Sequence, residues 1–198
     1  MTPMIRQWIL AAVLIVQAPS LVPTGTFRIE PEPQTGTSPR PAVEFVMRDN
    51  RGGFTGTTDR VEGTVTVRAE GESVVAAIDA RIDARTLVTG NGTRDGQMRR
   101  DFLRTDQFQY ITFRGTATPR GSLTASVVRV LMRGSLTIRD VTREVEMPLE
   151  IVALADDYRA SGEVTVRLTE FGIPIPRFLI FVAEDPVTVR LRVRLRRS

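Results

Sequence analysis

Alternation of apolar and polar residues with a period of two is the dominant pattern of this chain. It is clearest in 61–70 and 73–83, where valine, alanine and isoleucine share one face and charged residues or threonine share the other. The segment 187–195 alternates Val and Leu with Thr and Arg in the same way. Alternation sustained over this length predicts half-buried antiparallel strands.

About eight or nine strands follow from this pattern, joined mostly by short turns. The other predicted strand segments are 26–30, 43–47, 111–116, one or two strands within 122–138, 145–151 and 164–168. The stretch 31–41 holds four prolines and is predicted to be a surface loop, because proline cannot continue a sheet. The pattern favours an up-and-down barrel or a sandwich, and about eight closed strands enclose space for one slender ligand.

The segment 85–113 interrupts the alternation between two predicted strands. It is rich in Gly, Asn and Thr at its start, and it places Met98 and Phe102 four residues apart. Residues at that spacing share a helix face, and Thr93 or Asp95 is predicted to cap the helix start. We therefore predict one short helix within 94–105, crossing one mouth of the barrel.

The composition excludes several kinds of catalytic and metal-binding site. The chain has no Cys and no His, and all 27 of its cationic side chains are Arg. Ser-His-Asp and Cys-His nucleophiles, Schiff bases, disulfides and zinc sites built from His or Cys are thereby excluded. The high isoelectric point accompanies a net charge of only +4, since almost nothing titrates between the carboxylates and Tyr or Arg.

The N-terminal twenty residues have the organisation of an export signal. Arg6 precedes nine consecutive apolar residues, 8–16, which match the core of a signal peptide and are short for a membrane span. We predict that 1–20 is a signal peptide or an N-terminal anchor, and that 21–198 is one domain. A periplasmic or secreted location is favoured, with an uncleaved membrane anchor as the alternative.

Several motifs occur in an order that resembles the YceI-like family of lipocalin-like polyisoprenoid-binding domains. They are Thr93-Arg94-Asp95, the segments 102–105 and 108–113, GSLTIRDVTR at 134–143, Phe171-Gly172-Ile173 and Asp185-Pro186-Val187. The resemblance spans about residues 27–195. It implies an all-β, antiparallel lipocalin-like β-barrel of about eight strands with one short helix. It also implies an apolar channel for an isoprenoid chain, export, and no catalytic residue set. We expect no metal site and no cofactor.

The inward apolar faces are the predicted ligand surface. The candidates are Phe45, Phe54, Val65, Ile78, Phe102, Phe108, Ile111, Phe113, Phe171 and Phe178. The alternative is that these side chains fill a closed core, as apolar residues usually do. The apolar stretch 171–182 is interrupted by Pro174 and Pro176, and it is predicted either to cover the core or to form a flap at the barrel mouth or at a membrane surface.

Arginine clusters are the second kind of candidate site. The predicted head-group ligands are Arg94, Arg99, Arg100 and Arg104, because the planar guanidinium suits phosphate. The alternative is that they form surface ion pairs with Asp95, Asp101 and Asp106. The last strand carries a ladder of arginines, namely Arg190, Arg192, Arg194, Arg196 and Arg197. We expect this ladder to contact anionic lipid or an acidic strand that carries Glu144, Glu146 and Glu150.

These observations favour an exported binding protein that holds an isoprenoid or a similar long apolar lipid inside a β-barrel, with contact to a membrane surface. One alternative is an envelope interaction protein with a filled core. Another is a hydrolase, for which Asp79 and Asp83 are the available carboxylate pair. Nucleic-acid binding is disfavoured by the modest charge and the lack of evident stacking aromatics. The oligomeric state is open, with a dimer among the alternatives.

Overall fold

Antiparallel β-strands make up most of the chain that the computed structural model describes. The described residues are 23–33, 40–71, 73–121, 127–178 and 181–198, with the backbone alone for residues 177, 178 and 181. The strands are β1 (Gly25–Pro31), β2 (Val43–Asp49), β3 (Phe54–Thr58), β4 (Val61–Glu70), β5 (Ser73–Asp83), β6 (Tyr110–Pro119), β7 (Val127–Ile138), β8 (Val141–Ala153), β9 (Tyr158–Arg167), β10 (Arg177–Phe178) and β11 (Phe181–Arg197).

Helical structure is confined to the connections between strands. The helix α1 spans Gly92–Gln97 and continues directly into a π-helical turn, Met98–Leu103. Two short 3-10 turns, Ala84–Thr86 and Leu168–Phe171, follow β5 and β9. The prediction of one short helix between the central strands is confirmed, and its position within the chain is close to that expected.

Eight strands close into a barrel in the order β1-β4-β5-β6-β7-β8-β9-β11, and β1 pairs with β11 to complete the ring. The predicted closed antiparallel, lipocalin-like barrel is therefore confirmed. Closure leaves β11 with two partners on one edge, arranged end to end. Its residues 193–197 pair with β1 and its residues 183–191 pair with β2, whereas β9 runs along the opposite edge.

The antiparallel order separates the connections into two sets. The β4–β5, β6–β7 and β8–β9 connections lie at one end, which we call the hairpin end. The β5–β6 connection carries α1 and lies at the other end, the helix end, together with the β7–β8 and β9–β10 connections. With eleven residues and a rise of about 3.3 Å per residue, β5 itself is about 35 Å long.

A glycine pair lets two wall strands approach closely. Gly115 of β6 and Gly134 of β7 are directly opposite each other in register, on the same face as Phe113. A β-carbon on Gly134 would stand 2.5 Å from the Cα of Gly115 and still closer to the carbonyl oxygen of Arg114. Only glycine fits here, because any side chain would push the two backbones apart.

The arginine ladder of β11 pairs with strands on both sides of it. Arg190 bonds Glu44 of β2 at 2.8 Å and Glu163 of β9 at 2.7 Å. The other contacts are Arg192 with Glu32, Arg194 with Asp157, Arg196 with Glu30 and Arg197 with the carbonyl oxygen of Thr24.

The predicted pairing of this ladder with Glu144, Glu146 and Glu150 is wrong. These residues belong to β8, and β9 lies between β8 and β11 in the sheet. The three glutamates instead face β7, where Glu146 pairs with Arg133 at 2.8 Å and Glu150 with Arg129 at 3.6 Å. Glu144 accepts a hydrogen bond from the Ser135 hydroxyl.

Candidate ligand-binding cavity

A cavity of about 1300 Å³ runs along the inside of the barrel. Its lining comes from the inward faces of the barrel strands, from β2 and β3, and from α1 with its π-helical turn. It exceeds the range of about 300–1,000 Å³ typical of pockets for small molecules. The interior is therefore hollow, which contradicts the alternative of a barrel with a filled core.

The central wall is apolar throughout. On β5 the inward residues are Ala76, Ile78, Ala80 and Ile82, and all four line the cavity while remaining half-buried. In a filled core such side chains would be fully buried, so their partial exposure reflects the open space in front of them. On the opposite side, the wall is completed by Met132 and Met147 of β7 and β8 and by Leu191 and Val193 of β11.

An aromatic pair narrows the hairpin end. The rings of Phe27 and Tyr158 meet edge to face, with centroids 5.6 Å apart and an interplanar angle of 89°. They are neighbours because β1 and β9 flank the same part of β11. Both line the cavity, together with Pro23, Val74, Pro119, Val128 and Ala153. Among the described lining residues at this end, the Tyr158 hydroxyl is the single polar side-chain group.

The π-helical turn shapes the apolar part of the helix end. Met98, Phe102 and Leu103 all line the cavity. In a regular α-helix Leu103 would be rotated away from Met98, but π-helical i→i+5 spacing places the residues four and five positions further along on the same side as Met98. The turn ends at Arg104, whose φ of 51° lies in the left-handed region and stops the helix.

The start of α1 is fixed by residues other than those predicted. The side chain of Asn91 accepts a hydrogen bond from the Arg94 amide at 3.0 Å and caps the helix. The prediction of Thr93 or Asp95 as the cap is wrong, because the helix begins earlier, at Gly92. Asp95 is instead buried, and its carboxylate accepts bonds from the amide and the hydroxyl of Thr89 at 2.9 and 2.5 Å.

Polar side chains of the lining gather at the helix end. We call this set the polar rim; it consists of Asp49, Arg51, Asn91, Thr93, Arg94, Gln97 and Asp101. Arg81 and Thr112 also line the cavity, near the same end of β5 and β6. The cavity is therefore polar at one end and apolar along the rest of its length.

Seven of the ten predicted ligand-contact residues lie on the cavity wall, namely Phe45, Phe54, Val65, Ile78, Phe102, Ile111 and Phe113. Phe171 lies outside the lining because it is buried in a cluster with Ile138 and Val166. Phe108 is also outside it, since it follows the turn at Arg104 and packs under that guanidinium at 5.7 Å. The side chain of Phe178 lies outside the described residues. Ligand contact by any of these residues stays a prediction.

Of the four predicted head-group arginines, only Arg94 lines the cavity. Arg99 donates to the carbonyl oxygens of Leu87 and Arg85 at 3.2 and 3.4 Å. Arg104 donates to the Gln107 side chain at 2.5 Å. Arg100 is 70% exposed and stands 3.8 Å from Asp101. Of the expected ion pairs, this is the one that is found in the described part of the chain.

Sequence patterns left several lining residues unmarked. Tyr158 was not assigned to a strand, and Leu87 precedes the helix in a non-repetitive segment. Met98 and Phe102 were expected on one helix face, but Leu103 joins them only through the π-helical geometry. In β9 the alternation continues from 164–168 back to Tyr158, and this signal could have predicted Tyr158 as a lining residue.

The two aspartates of the hydrolase alternative are each held by an arginine on the outer face. Asp79 pairs with Arg114 at 3.1 Å, and Asp83 pairs with Arg85 at 2.7 Å. The hydrogen bond from the Arg85 side chain, opposed by partial burial, lowers the pKa of Asp83 to about 2. A general acid of a glycosidase needs a raised pKa, so this pair does not suit that role.

Two other kinds of site are not found among the described residues. In that part of the chain, no three carboxylate side chains come together in a way that could hold a metal ion. No helix within the described ranges is long and apolar enough to cross a membrane. The predicted leader, 1–20, lies outside the described residues.

Comparison with known proteins identifies relatives of this barrel. The YceI-like domain matches residues 39–195, and no curated protein matches the sequence. BcnA of Burkholderia cenocepacia superposes with a TM-score of 0.64 at 14% identity, covering 77% of this chain and 94% of its own. A polyisoprenoid-binding domain from Saccharophagus degradans gives 0.60 at 13% identity, covering 89% and 100%. The YceI protein of Campylobacter jejuni gives 0.54 at 17% identity, covering 72% and 85%. At these identities the likeness concerns the fold.

Proposed function

The chain belongs to the YceI-like domain family, and from this membership we propose that it binds an isoprenoid or a similar long apolar lipid inside its barrel. The observation that carries the proposal is the hollow, apolar interior of about 1300 Å³, which reaches from the helix end to the hairpin end. A structural relative is described as a polyisoprenoid-binding domain, which supports the same class of ligand.

The direction of the bound lipid follows from the polarity of the cavity. Burial of an apolar chain against the central wall gains about 25 cal/mol for each Å² removed from water. Burial of a polar head group there without a hydrogen-bonding partner would instead cost free energy, because the group would lose its hydrogen bonds to water. The tail therefore lies along the strands towards Phe27 and Tyr158, and the head lies at the polar rim.

Export and a binding role complete the proposal. The leader 1–20, with Arg6 before its apolar core, supports export to the periplasm or secretion. A binding rather than a catalytic role is supported by the separate ion pairs of Asp79 and Asp83 on the outer face. A lipid carrier that exchanges its ligand with a membrane also contacts the membrane surface. We propose that the helix end makes this contact.

Native mass spectrometry of the domain purified from a bacterial host tests the proposal directly. We expect a stoichiometric adduct that organic extraction identifies as a lipid with an isoprenoid mass. A domain that is purified without a ligand and then fails to take up added isoprenoid lipids would contradict the proposed function.

A matched pair of substitutions on β5 separates cavity binding from adhesion to the surface. Ala80 lines the cavity, whereas Ala77 on the same strand is exposed on the outer face. Ala80→Phe should reduce lipid occupancy at least tenfold, because its ring fills the lumen. Ala77→Phe should leave occupancy unchanged. Equal occupancy in both variants, with circular dichroism showing an intact barrel, would place the lipid outside the cavity.

A further inference from the structure

Every methionine in the described part of the chain lines the cavity. Met132 and Met147 lie directly opposite each other in the register of β7 and β8, on the central wall. Met47 of β2 and Met98 of the π-helical turn line the helix end. We call these four side chains the lumen methionines. The chain has two further methionines, and both belong to the predicted leader, 1–20.

The lumen methionines are the side chains that a peroxide oxidises most readily among the described residues. The chain has no Cys, and its single Trp, Trp8, lies in the leader. A thioether takes up one oxygen atom and becomes a sulfoxide. Met47, Met132 and Met147 are buried and point inward from their strands, so the sheet itself shields them from the outside. An oxidant therefore reaches their sulfur atoms through the lumen.

The apolar lumen selects the class of oxidant. A lipid hydroperoxide gains free energy by burying its chain there, whereas hydrogen peroxide has no apolar surface to bury. The allylic C–H bonds of an isoprenoid are converted to hydroperoxides by oxygen, so the proposed ligand is itself a source of this group. A hydroperoxide held in the lumen has thioethers beside it on the central wall and at the helix end. Confinement of the two reactants in one cavity accelerates their reaction.

We propose that the lumen methionines reduce hydroperoxides of the apolar lipid that occupies the barrel. The sulfur attacks the terminal oxygen of the hydroperoxide, the O–O bond breaks and an S–O bond forms. The proton of the terminal oxygen passes to the lipid oxygen, so the products are a lipid alcohol and a methionine sulfoxide. The sulfur loses two electrons and the peroxide gains them. Each thioether reacts once, until a methionine sulfoxide reductase restores it. The proposal rests on the proposed function, because the lipid hydroperoxide must enter the barrel.

The test exposes the purified domain to two oxidants, the hydroperoxide of methyl linoleate and hydrogen peroxide. Peptide mass spectrometry measures oxygen uptake at each methionine, and chromatography measures the lipid alcohol. N-acetylmethionine amide in solution gives the ratio of the two oxidation rates for a free thioether. We expect the ratio of the lipid hydroperoxide rate to the hydrogen peroxide rate to be at least about tenfold higher for the lumen methionines. A ratio equal to that of the free thioether would overturn the proposal.

A thioether outside the barrel provides the matched control within the same molecule. Ala77 is exposed on the outer face of β5, so Ala77→Met adds a sulfur atom that bulk solvent reaches directly. The added thioether should show the rate ratio of the free amino acid, whereas the lumen methionines of the same variant should favour the lipid hydroperoxide. The same ratio at both places would show that the lipid hydroperoxide reacts from outside the cavity and would overturn the proposal.

Leucine at all four positions removes the sulfur atoms and keeps the cavity apolar, because leucine and methionine have similar volumes. The variant combines Met47→Leu, Met98→Leu, Met132→Leu and Met147→Leu. Formation of the lipid alcohol should fall to its rate in protein-free buffer. Displacement of a fluorescent apolar probe by methyl linoleate should change by less than about twofold. Persistent alcohol formation in this variant would overturn the proposal and leave the proposed function standing. Failure of methyl linoleate to displace the probe from the wild type would overturn the proposed function, and this proposal with it.

Discussion

Single residues without any hydrophobic character determine how closely two strands approach and how one strand ends. Gly115 and Gly134 allow β6 and β7 to approach where a side chain would collide with backbone. Asp83 ends β5 and joins it to the following 3-10 turn by accepting a bond from the Arg85 amide at 3.0 Å. Neither role follows from alternation, because both depend on which strands become neighbours.

Gly134→Ala should destabilise the barrel by about 1–3 kcal/mol, because the added carbon meets backbone atoms of β6 that cannot move independently. Urea unfolding followed by circular dichroism measures the change. Gly92→Ala is the control, since nothing lies within 4 Å of the added carbon and alanine favours the helix. An alanine at 134 that leaves the unfolding midpoint unchanged would contradict the close approach of the two strands.

Asp83→Asn should remove a stability term that depends on pH. The pKa of Asp83 is lowered from 3.8 to about 2 in the folded state, so its carboxylate stabilises the fold above about pH 4. That contribution disappears as the pH falls from about 4 to about 2. We expect a loss of about 1 kcal/mol at pH 7 after allowing for solvent screening, and a much smaller loss at pH 2.

Urea titrations of the wild type and the variant at both pH values measure this difference. Asp79→Asn serves as the control, because Asp79 is 61% exposed beside Arg114 and should change little at either pH. An equal loss for Asp83→Asn at pH 2 and pH 7 would assign the effect to packing rather than to charge.

At the scale of elements, alternation located the long strands and missed the short ones. β3, with sequence FTGTT, was not predicted as a strand, because glycine weakens the strand signal. In the fold Gly56 is needed there, since the Phe45 ring occupies the place of its β-carbon. The helix was found because its residues broke the alternation, but its π-helical turn and its cap at Asn91 depend on contacts that no local pattern contains.

The aromatic pair at the hairpin end should limit the length of lipid tail that the barrel accepts. Tyr158→Ala removes the ring that meets Phe27 and extends the lumen, so the preferred isoprenoid alcohol should become longer. Native mass spectrometry with a mixture of alcohols of increasing length measures the preference. Tyr158→Phe keeps the ring and should keep the wild-type preference. The same length distribution in the alanine variant would mean that the tail ends before this pair.

At the scale of the whole molecule, the sequence indicated which residues share a face but not what that face encloses. The same apolar residues, Ile78 and Phe113 among them, would have been equally compatible with a filled core. Hollowness depends on the strand number and on the closure of β1 against β11, which joins residues about 170 positions apart. The expectation of a hollow barrel came from the resemblance to a family, because local sequence patterns do not distinguish a hollow barrel from a filled one.

Ligand affinity should be nearly constant between about pH 6 and pH 9. No side-chain type in the chain has a reference pKa within this interval, because His and Cys are absent. Probe displacement by an isoprenoid alcohol at several pH values should give dissociation constants that agree within twofold. A sigmoidal change within this interval would reveal a titrating group that the composition does not account for.

The two ends of the described chain meet at the same place. Ser198 donates its amide to the Thr26 carbonyl oxygen at 3.0 Å, and Arg197 reaches the carbonyl oxygen of Thr24. Both lie at the hairpin end, opposite the polar rim. A fusion partner or a surface linker attached at either end of the described chain would hold the barrel at its hairpin end and leave the polar rim facing outward. With the lipid binding proposed above, the domain is thereby suited to immobilisation as a receptor for apolar molecules.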